Sequence, residues 1–232
     1  MSDVSNAVQI SLFSTLAVKK ALDDILLDAF REKTGITVDG TFDPTNVLTG
    51  RVKDGARPDV MIAVSGSFAQ LAEAFDLGTR TVVAKTGVGL AVAPGHELPD
   101  IGTVDALVAT LTSARSVAYS RTGASGVHFA ALVRELGIDE QVNARATVVE
   151  KGFTALAVVD GRADVAIQQL SELRFVPEAR IAGPLPAETQ HYSEFSAVLG
   201  RPAKPEAAEL VRFLTSEAAV EAYLETGLEV AP

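Results

Sequence analysis

A strand, a short polar turn and an amphipathic helix recur three times within about the first 75 residues, and this repeat constrains the chain more than any other feature. Residues 8–13 alternate and then run apolar, as a half-buried strand does. Ser14 and Thr15 break the run, and from Leu16 onward Ala17, Ala21, Leu22, Ile25, Ala29 and Phe30 recur at steps of three and four. Gly35 is placed to end that helix. A second strand opens at 36–38, Asp43-Pro44-Thr45-Asn46 turns the chain, and Val47, Leu48 and Val52 supply a helix face. A third strand over 59–64 lies between Pro58 and Ser65-Gly66-Ser67, with a helix predicted over 68–75. Alternation of this kind predicts an α/β fold, a mainly parallel sheet covered by helices.

The rhythm restarts with an apolar run at 88–93, a bend at Pro94-Gly95 and Pro99, and a capped helix from Thr103. A strand at 116–119 runs into Ser120-Arg121-Thr122-Gly123-Ala124-Ser125-Gly126, followed by a helix that Gly137 ends. A helix over 152–160, a turn at Gly161 and a strand over 164–167 lead to Gln168-Gln169. Gly183-Pro184-Leu185-Pro186 reads as the end of this part, 194–199 as a strand returning to the first, and 205–214 and 216–225 as closing helices. Two lobes follow: lobe one, 1–83 plus 191–232, and lobe two, 84–190.

Composition removes several classes of function. The 232 residues, 47% hydrophobic and 22% charged, suffice for two lobes with real cores. No stretch approaches the roughly 18 apolar residues that a membrane helix needs. Without cysteine there is no disulfide framework, iron-sulfur cluster or thiol nucleophile. Twenty basic against 30 acidic residues give a net charge of −10, the wrong sign for a nucleic-acid surface. A small anionic ligand must then be captured by local groups. Residues 1–7 lack a basic start followed by an apolar core, so the chain reads as having no signal peptide. It is periplasmic if a leader was removed, and otherwise cytoplasmic.

Phosphate-binding glycine fingerprints are absent. His96-Glu97 has Asp100 where a zinc helix needs histidine, and Pro99 would break that helix. Gly123-Ala124-Ser125-Gly126 has Val127 where a nucleophile elbow requires glycine. No metal and no cofactor is expected. The polar turns remain, each between a strand end and a helix start, where ligands bind in open α/β sheets and where backbone N–H groups favour anions. Ser14, Thr45, Ser65 and Ser125, taken together on one sheet edge, are candidate donors beyond ordinary helix caps, with Thr15, Asn46, Ser120 and Thr122 beside them. Arg121 is the cation of these turns, and its planar fork matches a carboxylate. Gln168 and Gln169 can donate and accept at once, and His128 opens the helix after the Arg121 loop.

These residues resemble a known family, the bacterial solute-binding proteins related to the molybdate-binding component of ABC transporters. Phe13-Ser14-Thr15-Leu16-Ala17-Val18-Lys19, Gly55-Ala56-Arg57-Pro58-Asp59-Val60, the 120–129 segment, Gly161-Arg162-Ala163-Asp164, Gln168-Gln169-Leu170-Ser171-Glu172 and 183–186 carry the resemblance. It implies the type II periplasmic-binding-protein fold, two lobes with a hinge, a small anion clamped between them and a transporter permease as partner, the protein itself a monomer. Ala17 stands where molybdate binders carry a binding serine, and Gln168-Gln169 with Ser171 occupy the region of their tyrosine. With Arg121 added, an organic carboxylate is expected rather than molybdate or sulfate. The Gln-Gln pair and the 120–126 loop are closer to a subgroup that includes aconitate isomerase. That similarity implies an alternative, a cofactor-free isomerase of a tricarboxylate, with His128 the first candidate base and Glu172 or Asp43 behind it.

Overall fold

The computed structural model describes residues 8–230; residues 1–7, read above for a leader, lie outside the described residues. The chain forms two compact units, 1–84 with 194–232, and 85–193.

In the first unit, β1 (Gln9–Ser14) leads through a 3-10 turn (Leu16–Val18), α1 (Lys19–Ala21), a π turn (Leu22–Leu26) and α2 (Leu27–Thr34). Gly35 stops α2 at φ 75°, a left-handed conformation that a side chain would oppose, and its N–H reaches the Arg31 carbonyl. β2 (Thr37–Phe42), α3 (Thr45–Lys53) and β3 (Val60–Val64) follow. The helix expected over 68–75 does not form. Residues Ser65–Gln70 make a 3-10 helix, and Phe75 begins β4 (Phe75–Val92), an 18-residue strand that carries the chain into the second unit. The polar stretch from Asp76 to Thr81 concealed this strand, because it lacks the apolar alternation that marks one.

The second unit continues with α4 (Val104–Ser113), β5 (Val117–Tyr119), α5 (Ala124–Glu135), α6 (Asp139–Asn143), β6 (Thr147–Val148), α7 (Ala155–Val159), β7 (Val165–Gln169), α8 (Leu170–Leu173) and β8 (Arg180–Pro184). The helix expected over 152–160 is thus confined to Ala155–Val159. The 183–186 stretch begins inside β8, a strand that the sequence did not announce. β9 (Tyr192–Gly200) returns the chain to the first unit, where α9 (Ala207–Phe213) and α10 (Glu217–Glu225) end it.

Sheet order in the first unit is β2-β1-β3-β9, with β1, β2 and β3 parallel and β9 antiparallel to β3. In the second it is β4-β7-β5-β6, with β5, β6 and β7 parallel, β4 antiparallel to β7, and β8 on the other side of β4. Each sheet is covered on both faces. In the first unit Ile10, Leu12, Leu22, Phe30 and Tyr223 fill one core and Leu48, Met61, Phe68 and Phe75 the other. In the second, Leu90, Leu107, Tyr119 and Phe129 fill one, and Ala118, Ala166, Leu173 and Val176 the other. Among the described residues no helix is long and apolar enough to cross a membrane.

Candidate functional site

Parallel strands deliver their C-terminal ends to the same edge, so the register fixes which turns meet. In the first unit Ser14 is level with Phe42 of β2 and Ile62 of β3, which brings the 14–15, 43–46 and 65–67 turns together. The Thr15 N–H donates to the Ile62 carbonyl at 2.9 Å, the Asp43 N–H to the Ser14 carbonyl at 3.2 Å, and the Val64 N–H to Thr45 Oγ1 at 3.3 Å. Antiparallel β9 adds Ser196, fully buried, whose hydroxyl lies 2.7 Å from Ser65 Oγ. Asn46 is exposed and its Oδ1 accepts from the Val47 N–H. Asp43 is buried in an ion pair, its Oδ2 2.6 Å from the Arg51 guanidinium.

In the second unit the same logic joins three segments. Ala118 is level with Thr147 and Ala166, so β5 and β6 release residues 120–123 and 149–154 at the edge where Gln168 and Gln169 end β7. Ser120 Oγ accepts from the Thr122 and Gly123 N–H groups at 3.2 and 3.3 Å, and the Thr122 hydroxyl donates to the Glu150 carbonyl at 3.4 Å. Arg121 projects from this turn as an exposed side chain. Ser125, 2% exposed in the first turn of α5, makes no side-chain hydrogen bond among the described residues. The four serines and threonines grouped on one edge in the sequence reading are therefore divided, Ser14, Thr45 and Ser65 in the first unit and Ser125 in the second. None of the four caps a helix by its side chain, whereas Thr103 and Ser216 do, accepting from the Ala106 and Ala219 N–H groups.

Gln168 and Gln169 are both 3% exposed but differ in what they do. Gln168 Oε1 accepts from the Thr154 N–H at 2.7 Å and its hydroxyl at 3.0 Å, and Nε2 donates to the Gly152 carbonyl at 3.1 Å. The amide thereby braces the 149–154 segment. Gln168→Ala should cost about 2 kcal/mol of stability, because it strands a buried N–H and carbonyl together, and a lowered urea midpoint would show it. The Gln169 side-chain amide makes no hydrogen bond among the described residues. Glu172, 8% exposed, has its pKa pushed up to about 8 by burial, against the opposing hydrogen bonds from the Gln168 side chain and the Gln169 N–H.

His128 lies in α5 with its Nε2 2.9 Å from the Thr189 carbonyl, so that nitrogen carries the hydrogen and donates. Its ring stacks on His191 at 4.9 Å between centroids. Burial, and then the neighbouring His128, hold the His191 pKa below its ordinary value. Of the nitrogens of His128, only Nδ1 is left to act as a base. Sequence reasoning missed Thr154 and Ser196: both face groups far away in the chain, which no local pattern records. Among the described residues no group of three or more metal-ligating side chains is gathered.

Two α/β units, each presenting turns at the ends of parallel strands and connected by long strands, define the type II periplasmic-binding-protein fold, a ligand-binding architecture. The chain belongs to the bacterial extracellular solute-binding protein family, whose model matches residues 10–229. It is 29% identical over 214 residues to an aconitate isomerase from a Pseudomonas species, covering 88% of this chain and 81% of that one. The periplasmic molybdate-binding protein of Azotobacter vinelandii shares the fold with a TM-score of 0.80 at 17% identity, over 96% of this chain and all of that one. PEB3, a protein of Campylobacter jejuni solved with L-phospholactate bound, gives a TM-score of 0.72 at 15% identity, over 96% of this chain and all of that one.

Proposed function

We propose that the protein is a solute receptor for a small organic anion, a carboxylate rather than molybdate, which it presents to the permease of an ABC transporter. The observation that carries the reading is the second unit's edge, where exposed Arg121, the unbonded hydroxyl of buried Ser125 and the unbonded amide of buried Gln169 share one rim. An arginine fork pairs with the two oxygens of a carboxylate, and the first-turn N–H groups of 12-residue α5 favour negative charge. Ser14, Thr15, Thr45, Asn46 and Ser65 form the corresponding set in the first unit, with Ser120 and Thr122 shaping the Arg121 turn. The curated relative is named for a tricarboxylate, and PEB3 was solved with a carboxylate-bearing anion.

Calorimetry against trans-aconitate, citrate, succinate, sulfate and molybdate tests the proposal. Arg121→Ala should weaken binding of the preferred carboxylate by about 2 kcal/mol, on the order of thirtyfold, through loss of its counter-charge. A response to molybdate alone would overturn the carboxylate reading.

The likeness to an aconitate isomerase over 88% of the chain favours a second reading, isomerisation of the bound tricarboxylate. One group would take a proton from the carbon beside a carboxylate, the double bond would shift, and a proton would return at the far carbon. Proton NMR of the purified protein with cis- and trans-aconitate distinguishes the two readings, since a receptor binds without interconversion.

A further inference from the structure

Between β8 and β9, within the second unit, runs a short connection that contains a 3-10 turn (Ala187–Thr189) and then Gln190 and His191. One side of it is fastened to β4: Gln190 Oε1 accepts from the Val88 N–H at 2.7 Å, and its Nε2 donates to the Val88 carbonyl at 3.0 Å. The other side is fastened to α5 through a pair of histidines. His128 Nε2 donates to the Thr189 carbonyl at 2.9 Å, and its ring stacks on that of His191 with centroids 4.9 Å apart and planes inclined by 23°. His128 is half-buried and His191 lies at the surface, so solvent protons reach the pair.

We infer that His128 and His191 form an acid-sensitive latch, which when neutral fastens α5 to the connection that enters β9 and in acid releases it. The two contacts of the latch respond differently to a proton. His128 Nε2 carries hydrogen in the neutral ring and in the cation alike, so its bond to Thr189 survives protonation. The stack does not, because two imidazolium rings at this separation repel each other. The charged groups on the segments around the pair are Arg121 before α5, Arg134 and Glu135 at its far end, Lys85 of β4, Glu188 of the 3-10 turn and Glu194 of β9. Lys85 Nζ lies 5.5 Å from the centroid of the Tyr192 ring. No carboxylate pairs with either histidine among the described residues, and His128 is the one charge that acts on the titration of His191. Burial of one ring face, and then the charge of His128, hold the His191 pKa below its ordinary value. The stabilisation is therefore complete above the unfolded value of about 6.5 and is lost as the pH falls through the folded one.

Proton NMR of the whole chain from pH 5 to pH 8 tests the latch through the ring signals of its three histidines. In the wild type, His191 should titrate at lower pH than exposed His96. His128→Gln keeps an N–H for Thr189 but carries no charge, and it should move the His191 midpoint upward. Amide hydrogen exchange gives the second readout. Corrected for the intrinsic rate, protection of the Thr189 and His191 N–H groups, which donate to the Pro186 carbonyl and to Gln190 Oε1 at 2.9 Å each, should fall about fivefold from pH 7 to pH 5. In His191→Phe, which keeps a ring to stack and takes up no proton, that protection should stay level. A His191 midpoint equal to that of His96, or left in place by His128→Gln, overturns the latch. So does protection that is level in the wild type or lost equally in His191→Phe. Both measurements are made without ligand, so failure of the latch leaves the carboxylate reading standing.

Discussion

Gly126→Ala should destabilise the protein by about 4 kcal/mol, the upper range for a single substitution, and should do so by forcing the Ser120 turn off α5. A Cβ on Gly126 would lie 1.4 Å from the Ser120 carbonyl oxygen and 2.5 Å from its carbonyl carbon. Both are backbone atoms, so no rotamer change relieves the clash. The constraint comes from the neighbouring segment, because Gly126 is not among the glycines with positive φ. Gly50→Ala is the internal control. Gly50 lies within α3 with nothing inside 4 Å of an added Cβ, so the same change there should stabilise by about 0.5–1 kcal/mol through helix propensity. Urea unfolding of both variants checks the contrast, and equal midpoints would show that the turn is not seated on α5. Because the same turn carries Arg121, Gly126→Ala should also lose ligand affinity in whatever fraction remains folded.

Asp59→Ala should cost about 3 kcal/mol, because one buried carboxylate ties three separate segments of the first unit. Its Oδ2 accepts from the Ser11 N–H and hydroxyl, each at 2.8 Å, and its Oδ1 from the Lys204 N–H at 2.9 Å. Ser11 Oγ in turn accepts from the Asp59 N–H at 2.9 Å. Burial pushes the pKa up. The hydrogen bonds from Ser11 and Lys204, with the Lys204 charge, outweigh it and leave the carboxyl below its ordinary value. A depressed folded-state pKa stabilises the native form above the unfolded value of about 4, and that contribution is lost as the pH falls through the folded value. The stability gap between wild type and Asp59→Ala should therefore be complete at neutral pH and shrink progressively in acid below about pH 4. A gap that holds constant into strong acid would mean that Asp59 acts through packing and not through its charge.

The residues that were legible in the sequence are those whose behaviour is local. Periodicity of three and four along 16–34 specifies a helical segment, even though a π turn at Leu22–Leu26 interrupts its interior. Gly35 stops it and Thr103 caps α4 for reasons contained within a few neighbouring residues. The strand-turn-helix repeat alone sufficed for the α/β class and for locating the polar turns. Short-range patterning encodes these features because hydrogen bonding within a turn and the burial of one helix face depend on spacing along the chain.

What only the tertiary structure decided involves partners that the chain brings from a distance. No apolar alternation marks the polar residues from Asp76 to Thr81 as part of β4, and nothing local places Ser196 against Ser65, 131 positions away. Gln168 and Gln169 are the same residue type side by side, yet one braces Thr154 and Gly152 while the other keeps its amide unbonded. Successive strand residues point to opposite faces, so their neighbours are set by register and not by type. Glu172 reads in the sequence as an ordinary acidic residue in a helix, and its unusual hold on a proton arises from burial among groups that fold around it. The sequence by itself determined most of the strand-turn-helix units and where the polar turns lie; register and burial decided which of those polar groups are already satisfied and which stay unbonded, because desolvation and pairing are properties of the packed chain.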